Sequence, residues 1–213
     1  MKQHLSFVHR FEPATQTSAR PLLLLHGTGG SEDDLLPVGR MIAPGSALLS
    51  PRGSVLENGM PRFFRRLAEG VFDEEDVRRR AHELADFIDE ARKSYGIVAP
   101  TALGYSNGAN IAAAVLLLRP NVLAGGVLLR AMVPLADAPR AGLAGKPVLI
   151  LSGANDSIAS TRNAELLACR LEQAGAHVEH RTVQAGHELS QADINLTRRW
   201  LESIEARAPV TPI

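Results

Sequence analysis

The stretch Thr101-Ala102-Leu103-Gly104-Tyr105-Ser106-Asn107-Gly108-Ala109-Asn110 joins an apolar segment to a helical run that ends at Arg119-Pro120, with a Gly-x-Ser-x-Gly pentapeptide at the join. Strand, tight turn and helix in that order are what a nucleophile elbow requires. A serine on the sharp turn lifts its hydroxyl clear of the sheet while its backbone stays fixed. Ser106 is therefore the candidate nucleophile. Gly104 and Gly108 flank a strained turn packed against neighbouring backbone, where a Cβ would collide. The pentapeptide alone is a modest signal, since an ordinary Gly-rich turn also matches it, and the rest of the chain has to decide.

Upstream, Phe7 and Val8 begin an edge strand, and Pro21 to Leu25 reads as a short strand buried on both faces. That strand runs into His26-Gly27-Thr28-Gly29-Gly30. Ser31 to Met41 reads as a short helix with Ser31 as its cap, and Ala47 to Ser50 as a strand halted by Pro51. Residues 51–72 lack clear periodicity and form the candidate wall of a substrate site. From Asp73 the pattern is helical: Val77, Ala81, Leu84, Ala85, Ile88 and Ala91 share one face and Gly96 lies just past the end. Ile97 to Leu103 leads into the elbow, with Pro100 making its first half loop. Downstream, the spacing predicts strands over 123–129, 146–153 and 177–183, and helices over 161–174 and 189–206. Strands separated by helices of this length imply parallel βαβ units and a three-layer α/β sandwich with a mostly parallel central sheet. The chain reads as one domain over 1–213, with an edge strand and loop at 1–20 and a frayed tail at 209–213.

Of 213 residues, 45% are hydrophobic and 22% charged, and the 23 basic side chains balance the 23 acidic ones. Such a chain has no net field to draw nucleic acid, an anionic membrane or a polyanionic substrate, so a small molecule is the expected partner. A homodimer is the assembly left open. The one cysteine, Cys169, excludes an intrachain disulfide and reads as a small packed thiol in a reducing cytoplasm. The amino terminus lacks the apolar run of a secretory signal, and no stretch is long enough to span a membrane.

In open α/β sheets the site lies beyond the carboxyl ends of the strands. Ser106, Thr28, Asp156 and His187 all fall at such ends. A serine hydroxyl needs a base within hydrogen-bond reach, and that imidazole needs a carboxylate to fix its tautomer. Ser106, His187 and Asp156 supply those parts as catalytic residues, in the chain order serine, acid, histidine. Asp137 is the alternative acid, set farther from its strand. The oxyanion formed on attack needs two aimed N–H donors, and Thr28 and Asn107 occupy the positions for them. Of the seven histidines, His26 is expected to brace its glycine-rich turn, and His4, His9 and His82 to lie at the surface. Gly27 to Gly30 is not followed by the Gly-Lys-Ser/Thr of a phosphate loop. No metal site is indicated, because His177 and His180 would point to opposite faces of a strand.

Taken with Leu25 to Gly30, Ser50-Pro51-Arg52-Gly53, Gly153-Ala154-Asn155-Asp156 and Gly186-His187, the elbow resembles the phospholipase/carboxylesterase family of small α/β-hydrolases. Pro61-Arg62-Phe63-Phe64-Arg65-Arg66 and Phe72-Asp73-Glu74-Glu75-Asp76 are similar to its bacterial carboxylesterase branch, related to hydroquinone-resistance hydrolases. The resemblance spans about residues 20 to 200 and rests on several separated motifs. It implies the α/β-hydrolase fold without a cap domain, and a serine esterase with no cofactor acting on acyl esters or thioesters. An open groove would be lined by Phe63, Phe64, Met132 and Val133. Two rivals remain at this point: a non-catalytic relative that binds a small ligand, and a hydrolase of carbon–carbon bonds in ring-cleavage products.

Overall fold

The computed structural model describes residues 5–16, 19–137 and 142–206. Along the chain these form β1 (His9–Glu12), β2 (Leu22–Leu25), α1 (Leu36–Ile42) and β3 (Leu48–Pro51). Two hairpins follow, β4 (Val55–Glu57) with β5 (Met60–Arg62), and β6 (Arg66–Ala68) with β7 (Val71–Phe72). Then come α2 (Glu74–Tyr95), β8 (Thr101–Tyr105), α3 (Asn107–Leu118), β9 (Gly125–Leu129) and β10 (Pro147–Gly153). The chain closes with α4 (Thr161–Gln173), β11 (His177–Val183) and α5 (Gln191–Ala206).

Seven strands make one sheet in the order β1-β3-β2-β8-β9-β10-β11. Only the β1–β3 pair is antiparallel; every other neighbouring pair runs parallel. Strands buried on both faces carry near-continuous apolar runs, and the two-residue period divides each run between two cores. Leu23, Leu25, Ala102, Leu128, Val148 and Ile150 pack on the face covered by α2, α3 and α4. Leu22, Leu24, Leu103, Val127, Leu149 and Leu151 pack on the opposite face, with Leu36 and Ile42 of α1 and Trp200 and Leu201 of α5. The result is the α/β-hydrolase sandwich, with no cap domain among the described residues.

α2 shows how locally these elements are encoded. Its N-cap Asp73 accepts from the Asp76 N–H, Glu74, Glu75 and Asp76 sit at the positive end of the helix dipole, and Gly96 ends it with φ 67°. α3 is buried from Asn107 to Leu117, as an all-round apolar helix wedged between α2 and the sheet must be. Among the described residues no helix is long and apolar enough to cross a membrane.

Several expectations are corrected. The Ser31–Met41 helix starts only at Leu36: the Ser31 hydroxyl donates to Asp34 within a turn instead of capping, and Pro37 takes its favoured place in the first helical turn. Pro51 ends β3 from inside the strand, and the edge strand covers 9–12 rather than starting at Phe7. The stretch 51–72 is not irregular. Asn58 (φ 51°) and Gly59 (φ 80°) both take left-handed backbone and turn β4 into β5. Cys169 is exposed on α4, not packed. His9 is half-buried, with Nδ1 on the Phe7 carbonyl and Nε2 2.6 Å from the Tyr95 hydroxyl. His4 and the 209–213 tail lie outside the described residues.

Candidate active site

Because β2, β8, β9, β10 and β11 run parallel and nearly in register, their carboxyl ends lie along one edge of the sheet. Ser106 leaves β8 there with φ 52° and ψ −114°, a backbone conformation an L-residue rarely adopts. Its N–H donates to the Leu129 carbonyl, and its carbonyl accepts from Asn110 in the first turn of α3. The turn is sterically closed. A Cβ on Gly104 would lie 2.6 Å from the Ala109 backbone, and one on Gly108 would overlap the Leu25 carbonyl oxygen and approach His26 O to 2.6 Å. Strain at the serine is thus held by backbone-to-backbone packing on either side.

Ser106, Asp156 and His187 are brought together. His187 Nε2 is 2.9 Å from Ser106 Oγ, and Nδ1 is 2.9 Å from Asp156 Oδ2. Asp156 Oδ1 accepts from the N–H groups of Ile158 and Ala159, at 2.8 and 2.9 Å. Burial of the carboxyl opposes its ionisation, but the Ala159 N–H, His187 and the Ile158 N–H outweigh it and hold the pKa below the ordinary carboxylate value. An ionised Asp156 can only accept, so the imidazole proton resides on Nδ1 and Nε2 is left to accept from the Ser106 hydroxyl. That arrangement can carry a proton off Ser106 Oγ as it attacks an electrophile. Asp137, the alternative acid, sits among residues fastened to α2 and α4: Glu74 accepts from the Ala136 N–H, Arg78 donates to the Asp137 carbonyl and Arg170 to that of Leu135.

The glycine-rich loop after β2 packs directly on the elbow. A Cβ on Gly27 would meet the Tyr105 ring at 2.8 Å, so only glycine lets the loop approach. Among the described residues, neither the Thr28 nor the Asn107 backbone N–H donates to another protein group, and Asn107 stands at the positive end of α3. The loop is braced from three sides. Gly29 N–H donates to Pro61 O, Arg62 Nη1 donates to Thr28 Oγ1 at 2.8 Å, and His26 spans the turn. His26 Nδ1 is 2.6 Å from Gly27 O, which only accepts, so the proton is on Nδ1 and Nε2 accepts from the Gly53 N–H. Burial lowers the His26 pKa and keeps the ring neutral, as that acceptor role needs.

The structure contradicts the groove expectation at Phe63 and Phe64. Phe63 and Phe64 lie in the core, Phe63 against the His26 ring and Phe64 against Phe72, so neither lines an open groove. Phe63 contributes backbone instead, its N–H donating to Asn107 Oδ1. Met132 and Val133 are half-buried, with their N–H groups donating to Asn110 Oδ1 and Asn163 Oδ1. A cavity of about 440 Å³ opens beside the glycine-rich loop, between Thr28, Tyr105 and Glu188-Leu189. Among the described residues no cluster of three or more histidine, cysteine or carboxylate side chains could hold a metal.

Residues that motif reading passes over hold the histidine loop. Tyr105 donates from its hydroxyl to the His187 carbonyl at 3.1 Å, and Arg130 and Asp193 form a fully buried ion pair beneath it. A charged residue directly after the apolar run Gly125–Leu129 is the one sequence signal for Arg130; its partner lies 63 positions away.

No family model matches the sequence. MhqD of Bacillus subtilis, which carries a hydrolase name, is 48% identical over 188 residues, 86% of this chain and 93% of MhqD. Among solved structures, a carboxylesterase of Bacillus cereus is 48% identical with a TM-score of 0.90, covering 93% of this chain and 94% of its own. A carboxylesterase of Mesorhizobium loti is 34% identical with a TM-score of 0.88, covering 93% and 95%.

Proposed function

The chain belongs to the phospholipase/carboxylesterase-type α/β-hydrolases and is a carboxylic ester hydrolase, and from that premise we propose that it works through an acyl-enzyme on Ser106. The observation that carries this reading is the paired 2.9 Å contacts of His187 with Ser106 Oγ and Asp156 Oδ2. Ser106 Oγ attacks the ester carbonyl carbon while its proton passes to His187 Nε2. The carbonyl oxygen, now an oxyanion, is met by the N–H groups of Thr28 and Asn107. Collapse breaks the bond to the alkoxy oxygen, which takes the proton from Nε2 and leaves as the alcohol. Water then attacks the acyl carbon, gives a proton to Nε2, and that proton returns to Ser106 Oγ as the carboxylic acid departs.

The substrate we assign is a small acyl ester, with a thioester differing only in the leaving atom. Met132 and Val133 are the groove residues retained in this reading, and the cytoplasm is its setting. Stoichiometric labelling by a fluorophosphonate, lost in Ser106→Ala, tests the nucleophile. Absence of labelling in the folded wild-type protein overturns it. A panel of p-nitrophenyl esters graded by acyl length, with matched thioesters and product analysis, identifies the bond cleaved.

A further inference from the structure

Among the described residues Arg130 is the largest fully buried side chain, and its backbone sits at φ 56°. A buried guanidinium in left-handed backbone is expensive twice over, in desolvation and in strain. What it touches is the loop that carries His187. Its Nε donates to Gly186 O at 2.8 Å and one Nη2 proton to Glu188 O at 3.1 Å. A paired contact to Asp193 Oδ1 and Oδ2, 2.8 Å each, and a 3.3 Å bond to Leu151 O bring the donors in use to five, all that a guanidinium has. Tyr105 supplies the missing grip, donating to the carbonyl of His187 itself. Three consecutive carbonyls, 186 to 188, are therefore each held by a side chain rooted at the end of a neighbouring parallel strand.

The grip is itself anchored. Asp193, at the start of α5, accepts from the N–H and hydroxyl of Ser190 as well as from Arg130. Burial works against its charge, yet Arg130 and Ser190 keep its pKa below the ordinary value. Arg130 N–H donates to Leu151 O, so the same residue ties β9 to β10, whose end leads to Asp156. A lysine would keep the charge but has three donors on one atom and cannot span two carbonyls and a carboxylate. A requirement for charge alone would not select this fork.

We propose that Arg130 is the positioning residue for His187: by clamping the carbonyls on either side of it, with Tyr105 clamping the one between, it sets where Nε2 meets Ser106 Oγ. This rests on His187 being the base, as inferred above. Displacement of a reacting group by about 1 Å costs up to about a hundredfold in rate, so Arg130→Lys, compared with wild type well below both melting temperatures, should lose about tenfold to a hundredfold in kcat with little change in KM. Fluorophosphonate labelling of Ser106 should slow by the same factor, and the low-field proton resonance of His187 Nδ1–H should broaden or vanish. A folded Arg130→Lys with wild-type kcat, labelling rate and resonance overturns the proposal. Should that variant not fold, Tyr105→Phe decides: it removes one bond to the same loop and leaves the ring in place. Loss of one such bond corresponds to about threefold to tenfold in kcat, and unaltered turnover in this folded variant is again fatal. Wild-type protein that neither turns over esters nor labels would instead sink the underlying assignment of the nucleophile and base.

Discussion

Gly108 carries the tightest steric condition in the site, since any side chain there enters the space of the Leu25 carbonyl. Gly108→Ala should destabilise the protein by about 1–3 kcal/mol or more, because backbone cannot yield as a flexible side chain can; urea unfolding measures it. Asp156→Asn keeps the shape of the acid but turns an obligate acceptor into a group that can donate, so His187 takes the other tautomer. A loss of about ten-thousandfold in kcat is expected with the fold retained, and a loss of only a few-fold would assign the acid elsewhere. His26 yields a pH prediction. Its pKa is lowered in the folded state, so its stabilising contribution is complete above the ordinary histidine value near 6.5 and is lost as pH falls below that toward the folded value. Thermal melts between pH 7 and 5 should fall, and less steeply in His26→Gln, which cannot take up a proton.

At the scale of elements, the buried strands were legible because two-sided burial writes an unbroken apolar run, and the elbow was legible because its glycines have no substitute. The hairpins over 55–72 were not. Strands of two or three residues are too short to show a period, and their exposed Leu56, Met60, Leu67 and Val71 blur any alternation. The Asn58-Gly59 pair was the available signal, a pairing strongly favoured in two-residue hairpin turns. Gly59 has open space around it, so its role is conformational alone. Gly59→Ala should cost about 1 kcal/mol through the left-handed backbone, and because β5 holds the Thr28 loop through Pro61 and Arg62, a decrease in kcat should accompany it. In the candidate site, the residues at strand ends were readable one by one, whereas Arg130, Asp193, Arg62 and Tyr105 act through partners far along the chain. Phe63 and Phe64 misled for a related reason: an aromatic pair in a loop looks the same whether it lines a groove or plugs the core.

Across the whole molecule, the Arg130–Asp193 pair joins the carboxyl edge of the sheet to α5. Asp193 and Asp156 both have lowered pKa values in the folded protein, so each contributes stability that is complete above the ordinary carboxylate range, near 4, and is lost as pH falls through the folded values. Denaturation midpoints should fall steeply below about pH 4. Asp193→Asn should cost about 3–5 kcal/mol at neutral pH by stranding a buried guanidinium, and should flatten that acid limb. The strand order has a further consequence for how the protein is made. Outward from β2 toward one edge, the strands lie in the order in which they are synthesised: β8, β9, β10, β11. A chain emerging from the ribosome can lay each new strand on a finished neighbour, without inserting between two already paired. On the assignment proposed above, the nucleophile Ser106 follows β8, the acid Asp156 follows β10, and the base His187 comes only behind β11, the last of these strands to be added. A nascent chain that has formed the Ser106 elbow would still lack His187, and with it the proposed base that activates the serine.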